Sequence, residues 1–139
     1  MAGRRGSSKD AIIAAAADLI HLRGVAGTSI DDILKASGTG KSQFYYYFES
    51  KDELIHEVLR FQLERYIAAQ QPFIENLASW KGISDWLEAL VDQHEGRKLV
   101  GGCPIGSLAA EMADRDERLR EQLVDAFDRW ESYLVVGLQ

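Results

Sequence analysis

Residues 28–51 read TSIDDILKASGTGKSQFYYYFESK, and this stretch decides the fold. Ile30, Ile33 and Leu34 fall on one helical face behind a small polar start. Thr28 and Asp31, three residues apart, have the spacing of a capping box, and Gly38 suits the left-handed residue that ends a helix. A second short helix is predicted over 41–48, where Phe44 and Phe48 lie four apart and share a buried side. Only a Ser-Gly-Thr-Gly turn separates the two. Two short helices across a tight turn, the second opening on Lys41, Ser42 and Gln43, have the layout of a helix-turn-helix. In that motif the first turn of the second helix reaches base edges in the DNA major groove, and the first helix braces it.

The residue types suit that task. Gln pairs bidentately with adenine, Lys with guanine, and Ser with several partners. Tyr45, Tyr46 and Tyr47 sweep most of a helical turn at about 100° each, so they cannot all be buried beside Phe44 and Phe48. Outward hydroxyls would fix register through phosphates. Lys51 adds a cation at the start of the next helix, where free amides also attract a phosphate. The competing view is that FYYYF is only the aromatic core of a small helical domain. The capping spacing, Gly38 and the flanking lysines weigh against it.

Working outward, a first helix is predicted over 9–23, with Ser8 as cap, Ile12, Ala15, Ala16, Leu19 and Ile20 as its stripe, and Gly24 as its end. The preceding Gly3-Arg4-Arg5-Gly6-Ser7 reads as a flexible basic arm. Ser50 caps a fourth helix over 51–70, with Leu54 or Ile55, Val58, Leu59, Gln62 and Tyr66 as its stripe. Further helices are predicted over 83–94, over 105–112 after a Gly-rich link, and from 117 to the end. No alternating β-branched run interrupts them, so the fold class is all-α.

Charge is divided unevenly. The net charge is −6, yet residues 1–60 carry eight basic and eight acidic groups and sum to zero. The remaining eight basic and fourteen acidic groups all lie in 61–139. A neutral first part can approach phosphates that the acidic second part repels. A single cysteine, Cys103, excludes an intrachain disulfide framework. No apolar run approaches the ~18 residues of a membrane span, and MAGRRGSSKD has no apolar signal core, so a cytoplasmic protein is expected.

Enzymatic constellations are wanting. Gly40-Lys41-Ser42 ends like a phosphate-binding loop, but Lys35 occupies the place of its first glycine and a helix precedes it. His21, His56 and His94 lack metal-ligand spacing and read as surface or packing residues. Ser107 has no nucleophile-elbow glycine. Glu111, Asp114, Asp116 and Glu117 read as a solvated helix start. Neither a cofactor nor a metal is expected.

The stretch from 8 to 58 resembles the N-terminal DNA-binding region of the TetR family of bacterial repressors. The resemblance rests on Gly24, TSIDDI, the ASG turn, KSQFYYYF and SKDELI, and GGCPIGSL at 101–108 resembles one branch of the family. It implies a three-helix DNA-binding head over 1–50 and a helical effector-binding and dimerisation domain over 51–139. It also implies that Lys41, Ser42 and Tyr46 lie nearest the bases and that Gln43 contacts bases or phosphate. Tyr45, Tyr47, Lys51 and Thr28 would hold the backbone. Gly40 departs from the serine frequent in the family, which weakens the cap of the third helix. Leu34 replaces a common alanine.

The function so implied is a repressor that a small hydrophobic effector releases from operator DNA. Phe61, Trp80, Trp86, Leu90, Cys103, Met112, Phe127, Trp130 and Tyr133 are candidates for the effector pocket, with ordinary core packing as the alternative for each. The small buried filler is the better reading of Cys103 than a thiol sensor. Family members carry two further long helices that pair across a two-fold axis, whereas this sequence stops at Gln139. A truncated or shortened member is therefore expected, a homodimer if those helices are supplied. Apolar surface should then show around Leu123, Phe127, Trp130 and Leu134. The alternative function is a helical protein-interaction module, using the acidic, aromatic last helix, without DNA binding.

Overall fold

The computed structural model describes the backbone of residues 2–139 and the side chains of residues 8–139. Eight helices follow one another: α1 (Ala2–Arg23), α2 (Ile30–Ser37), α3 (Lys41–Tyr47), α4 (Lys51–Ala69), α5 (Gln71–Ile74), α6 (Trp80–Gly96), α7 (Pro104–Met112) and α8 (Glu117–Leu138). Helix α1 begins before the predicted Ser8 cap, so its backbone runs through the segment read as an arm. The arm's side chains lie outside the described residues.

The head closes through its turns. Gly24 adopts φ +77° and donates its N–H to Ile20 O at 2.8 Å, which ends α1. Helix α2 starts one residue later than predicted. Thr28 turns its hydroxyl inward to donate to Gly24 O at 2.8 Å, so Ser29 becomes the cap. Ser29 Oγ accepts from Asp32 N, and Asp32 Oδ2 accepts from Ser29 N, both at 3.0 Å. The Ser29 amide, and after it the Ser29 hydroxyl beside it, hold the Asp32 carboxyl below the ordinary aspartate range. Gly38, at φ +69°, ends α2 as the sequence predicts.

One buried cluster joins both halves of the chain. Ile12, Ala16 and Ile20 of α1 meet Ile33, Phe44 and Phe48 of the head, Leu54, Ile55, Val58 and Leu59 of α4, Ile105 and Leu108 of α7, and Leu119 and Leu123 of α8. Fully burying each of the larger side chains, the isoleucines, leucines and phenylalanines, contributes about 1.5–3 kcal/mol. Helix α4 is the shared strut, packing against α1, α7 and α8.

One element escaped the sequence reading and another proves longer than predicted. Pro72 sits in the short α5 and Ser79, accepting from Gly82 N at 3.0 Å, starts α6 three residues early. Beyond α6, Lys98 and Leu99 hold left-handed backbone (φ 54° and 63°) without being glycine. Leu123 is buried, contrary to the expected apolar surface, because it joins the cluster from the first half of α8. The apolar exposure on α8 lies at Val124, Val135, Val136 and Leu138 instead.

Candidate nucleic-acid interface

Helix α3 has two unlike sides. Phe44 is wholly buried and Phe48 nearly so, with ring centroids 5.4 Å apart. Lys41, Ser42 and Gln43 are exposed, as are Tyr45 and Tyr46, at 50% and 66%. Tyr47 is half-buried and meets the Tyr46 ring edge-on at 5.0 Å. Ser42, Gln43, Tyr46 and Tyr47 line a shallow depression of about 310 Å³ on this outer side. Burial of the two phenylalanines thus fixes the rotation of α3, and the polar tips follow.

Three expected contact residues are engaged within the protein. Gln43 Oε1 accepts from Gly40 N at 2.9 Å, so the side chain supplies from inside the helix the cap that glycine cannot. Its amide nitrogen stands 3.4 Å from Ser8 Oγ. Lys51 Nζ donates to Val25 O at 2.7 Å and braces the turn between α1 and α2. Thr28 requires a correction. It is only 1% exposed and its hydroxyl is spent on Gly24 O, so its side chain offers no phosphate contact. Asp31 and Asp32 in the next turn would repel a phosphate besides.

The same turn is held from the far end of the chain. Glu111, on α7, accepts from Val25 N at 2.6 Å and from Ala26 N at 2.8 Å, one amide per oxygen. His21 Nε2 lies 2.8 Å from Gly102 O, a second link between α1 and the start of α7. Asp116 is likewise not merely solvated. It caps α8, accepting from Leu119 N at 3.0 Å, and faces His56 Nε2 at 3.3 Å. His56 is buried between α4 and α8 and also meets Gln122. No local signal marks Glu111, whose partners lie 85 and 86 residues away.

Between α4, α7 and α8 lies an apolar cavity of about 40 Å³, lined by Leu63, Tyr66, Cys103, Ile105, Ala126, Phe127 and Trp130. Of the predicted lining, Cys103, Phe127 and Trp130 stand on it. Trp86 does not; it is buried behind Trp130, their centroids 5.4 Å apart, and both indole N–H groups donate to Gln70 Oε1. Met112 belongs to the main core, Phe61 lies under the Arg65 guanidinium at 4.9 Å, and Leu90 stands off the cavity. Trp80 is 82% exposed, and Tyr133 accepts from Arg129 Nε at 3.3 Å. Burial raises the Tyr66 hydroxyl above the ordinary tyrosine value, Cys103 adds to the rise, and Arg97 offsets part of it.

Comparison with known proteins agrees with this geometry. Residues 12–58 match bacterial regulatory proteins of the tetR family, the segment that holds most of α1, all of α2 and α3, and the start of α4. Residues 81–139 match the tetracyclin repressor-like C-terminal domain. The chain belongs to the tetR family. Among its relatives is the HTH-type transcriptional regulator LmrA of Bacillus subtilis, 33% identical over an alignment of 132 residues, covering 91% of this chain and 69% of that protein. A regulator from the lacX 3' region of Lactococcus lactis is 35% identical, matching 87% of this chain and 63% of its own length. The crystal structure of a TetR transcriptional regulator from Chloroflexus aurantiacus superposes with a TM-score of 0.74 at 30% identity, covering 96% of this chain and 68% of that one. The chain thus spans roughly two thirds of these tetR-family relatives, and it shares the fold of the Chloroflexus regulator. Among the described residues no helix is long and apolar enough to cross a membrane, and no group of three or more His, Cys, Asp or Glu is placed to hold a metal.

Proposed function

We propose that this chain is a ligand-responsive repressor that reads operator DNA with α3. Lys41, Ser42 and Tyr46 would lie nearest the bases, while Tyr45, Tyr47 and the amide nitrogen of Gln43, exchanging its long bond to Ser8 for the duplex, would hold phosphates. Lys51 acts chiefly by bracing the turn below them. The observation that supports this most is the two-sided α3: Phe44 buries one side completely and leaves the polar and phenolic tips on the other. The division at residue 50 is then one of labour, since α4 serves both parts.

The test is a gel shift on the DNA upstream of the protein's own gene, with Lys41→Ala and Tyr46→Ala beside the parent. Each lost base contact should weaken binding by about 1–3 kcal/mol, roughly five- to 150-fold. Unchanged shifts in both variants would sink the recognition-helix assignment.

Release would come from a small hydrophobic effector that prefers the non-binding state, since equal affinity for both states shifts nothing. Its apolar part would begin at the cavity between α4, α7 and α8. That cavity must widen, because a drug-sized ligand needs about 300 Å³ or more. Helix α4 carries Lys51 at its head end and Leu63 and Tyr66 at the cavity, so it can act as the lever. A homodimer would set two heads on half-sites about 34–36 Å apart. Effector titration against an operator complex checks the lever: tight binding that never alters operator affinity refutes it.

A further inference from the structure

A second cleft adjoins the apolar cavity and differs from it in chemistry. It measures about 340 Å³ and lies between α1, α4, α6 and the start of α7. Its walls include Arg65, Arg97, His21, Gln62, Gln93 and Tyr66. Arg65, Arg97 and Gln93 bring donors to it, whereas the Gln62 amide nitrogen is spent on Ala17 O at 3.1 Å and its oxygen accepts from Arg65 at 2.9 Å; Asp18 is the one carboxylate among the lining residues. Asp18 is already paired with Arg65 at 3.2 Å, a half-exposed contact that water and salt weaken. Among the described residues Arg97 has no carboxylate within ion-pair distance and rests only against His94 Nδ1 at 3.2 Å. The cleft therefore carries an excess positive charge in a protein whose net charge is −6.

Its position matters as much as its charge. Tyr66 lines both this cleft and the apolar cavity, and consecutive residues Cys103 and Pro104 divide between them. One half-buried phenol ring is the partition. The cleft is large enough for an aromatic or alkyl body, and the apolar cavity beyond Tyr66 is not. His21 lies on the rim and at the same time holds Gly102, while the strained Lys98 and Leu99 follow directly on Arg97.

We infer that this cleft is the mouth of the effector site and selects organic anions: molecules with one carboxylate-like group held between Arg65 and Arg97 and an apolar body lying in the cleft against Tyr66, entering the cavity toward Trp130 only as that cavity widens. The inference rests on the effector reading above and adds the ligand's chemical class. An anion on Arg65 competes directly with Asp18, so occupancy weakens a link between α1 and α4 at the base of the head. Arginine suits this, since its planar fork binds carboxylates bidentately.

Two probes with the same aromatic skeleton separate the possibilities. 1-Anilinonaphthalene-8-sulfonate carries the anion, and N-phenyl-1-naphthylamine lacks it. Each is titrated into the full chain by fluorescence, together with Arg65→Gln and Arg97→Gln variants, with and without operator DNA. The sulfonate should bind about tenfold or more tightly than the neutral probe, as expected for a charge-assisted hydrogen bond. Arg97→Gln should erase most of that preference while leaving the neutral probe's affinity unchanged. Arg97 is exposed and bound to one neighbour, so this variant folds even if Arg65→Gln disturbs Phe61. Equal binding of the two probes, no binding of either, or a preference that survives both substitutions overturns the anion site. Operator release by the neutral probe alone also overturns it, and leaves the effector reading standing. If both probes bind and neither releases operator, the effector reading itself has failed.

Discussion

Helices α3 and α8 both present aromatic and apolar residues to two environments, but they divide them differently. Helix α3 buries Phe44 and turns lysine, serine, glutamine and phenol tips outward. Helix α8 buries Leu119, Leu123 and Ala126 in its first half, then exposes Val135, Val136 and Leu138 at its end. An outer face of hydrogen-bonding tips is suited to phosphates and base edges. A bare aliphatic face has no such use in water. What the contrast teaches is that rotation about the helix axis, set by a few buried residues, decides which chemistry reaches the surface.

Removing the residue that sets the rotation should have the largest effect. Phe44→Ala is expected to cost about 3–5 kcal/mol, the range for truncating a fully buried aromatic. Thermal denaturation followed by circular dichroism measures it. A loss under about 1 kcal/mol would mean that α3 is not oriented by this ring.

Glu111→Ala comes next and sharpens the comparison, because it touches the head without belonging to it. Two amides lose a charged acceptor, at about 1.5–3 kcal/mol. Urea denaturation gives the number. Hydrogen exchange should show Val25 and Ala26 losing protection before α1, and uniform loss would contradict a turn held locally by Glu111. The substitution should also blunt any response of operator affinity to ligand, since it cuts the link between α7 and the turn under the head.

These two residues also mark how far the sequence could be read. Phe44 was legible because its information is local: a four-residue spacing to Phe48, Gly38 before it and Ser50 after it. The caps at Gly24, Gly38 and Ser50 follow from the same short-range rules. Thr28 shows their margin of error. Two neighbouring hydroxyl residues, Thr28 and Ser29, could each cap α2, and only the inward bond from Thr28 to Gly24 moved the box to Ser29 and Asp32. Glu111 and the ligand-site lining were not legible. They depend on which faces of α4, α7 and α8 meet, and helical periodicity marks Trp86 and Met112 as apolar without saying which cavity, if any, they border.

The relocated box gives a smaller, pH-dependent effect. Ser29→Ala should cost about 1 kcal/mol at neutral pH. The Asp32 carboxyl is held below its ordinary value, so its part of the stabilisation is complete above the unfolded value of about 3.9. It is lost as pH falls through the lower folded value. The gap in melting temperature between parent and Ser29→Ala should therefore narrow below about pH 4. A gap that stays constant from neutral pH into that range would place the carboxylate outside the box.

The smallest effect on stability should be the most telling about function. Lys41 occupies the first turn of α3, where the helix dipole disfavours a cation, and no acidic residue stands in that turn. Lys41→Glu is accordingly expected to stabilise the fold slightly, by about 0.3–1 kcal/mol, while abolishing operator binding through repulsion of the phosphates. Melting curves and gel shifts on the same preparation read both quantities. A variant that melts higher and no longer shifts DNA would show that lysine stands there at a cost to the helix, which only a negatively charged partner outside the chain explains. A variant that melts lower would mean that Lys41 serves the fold, and the outer side of α3 would lose its strongest claim to the groove.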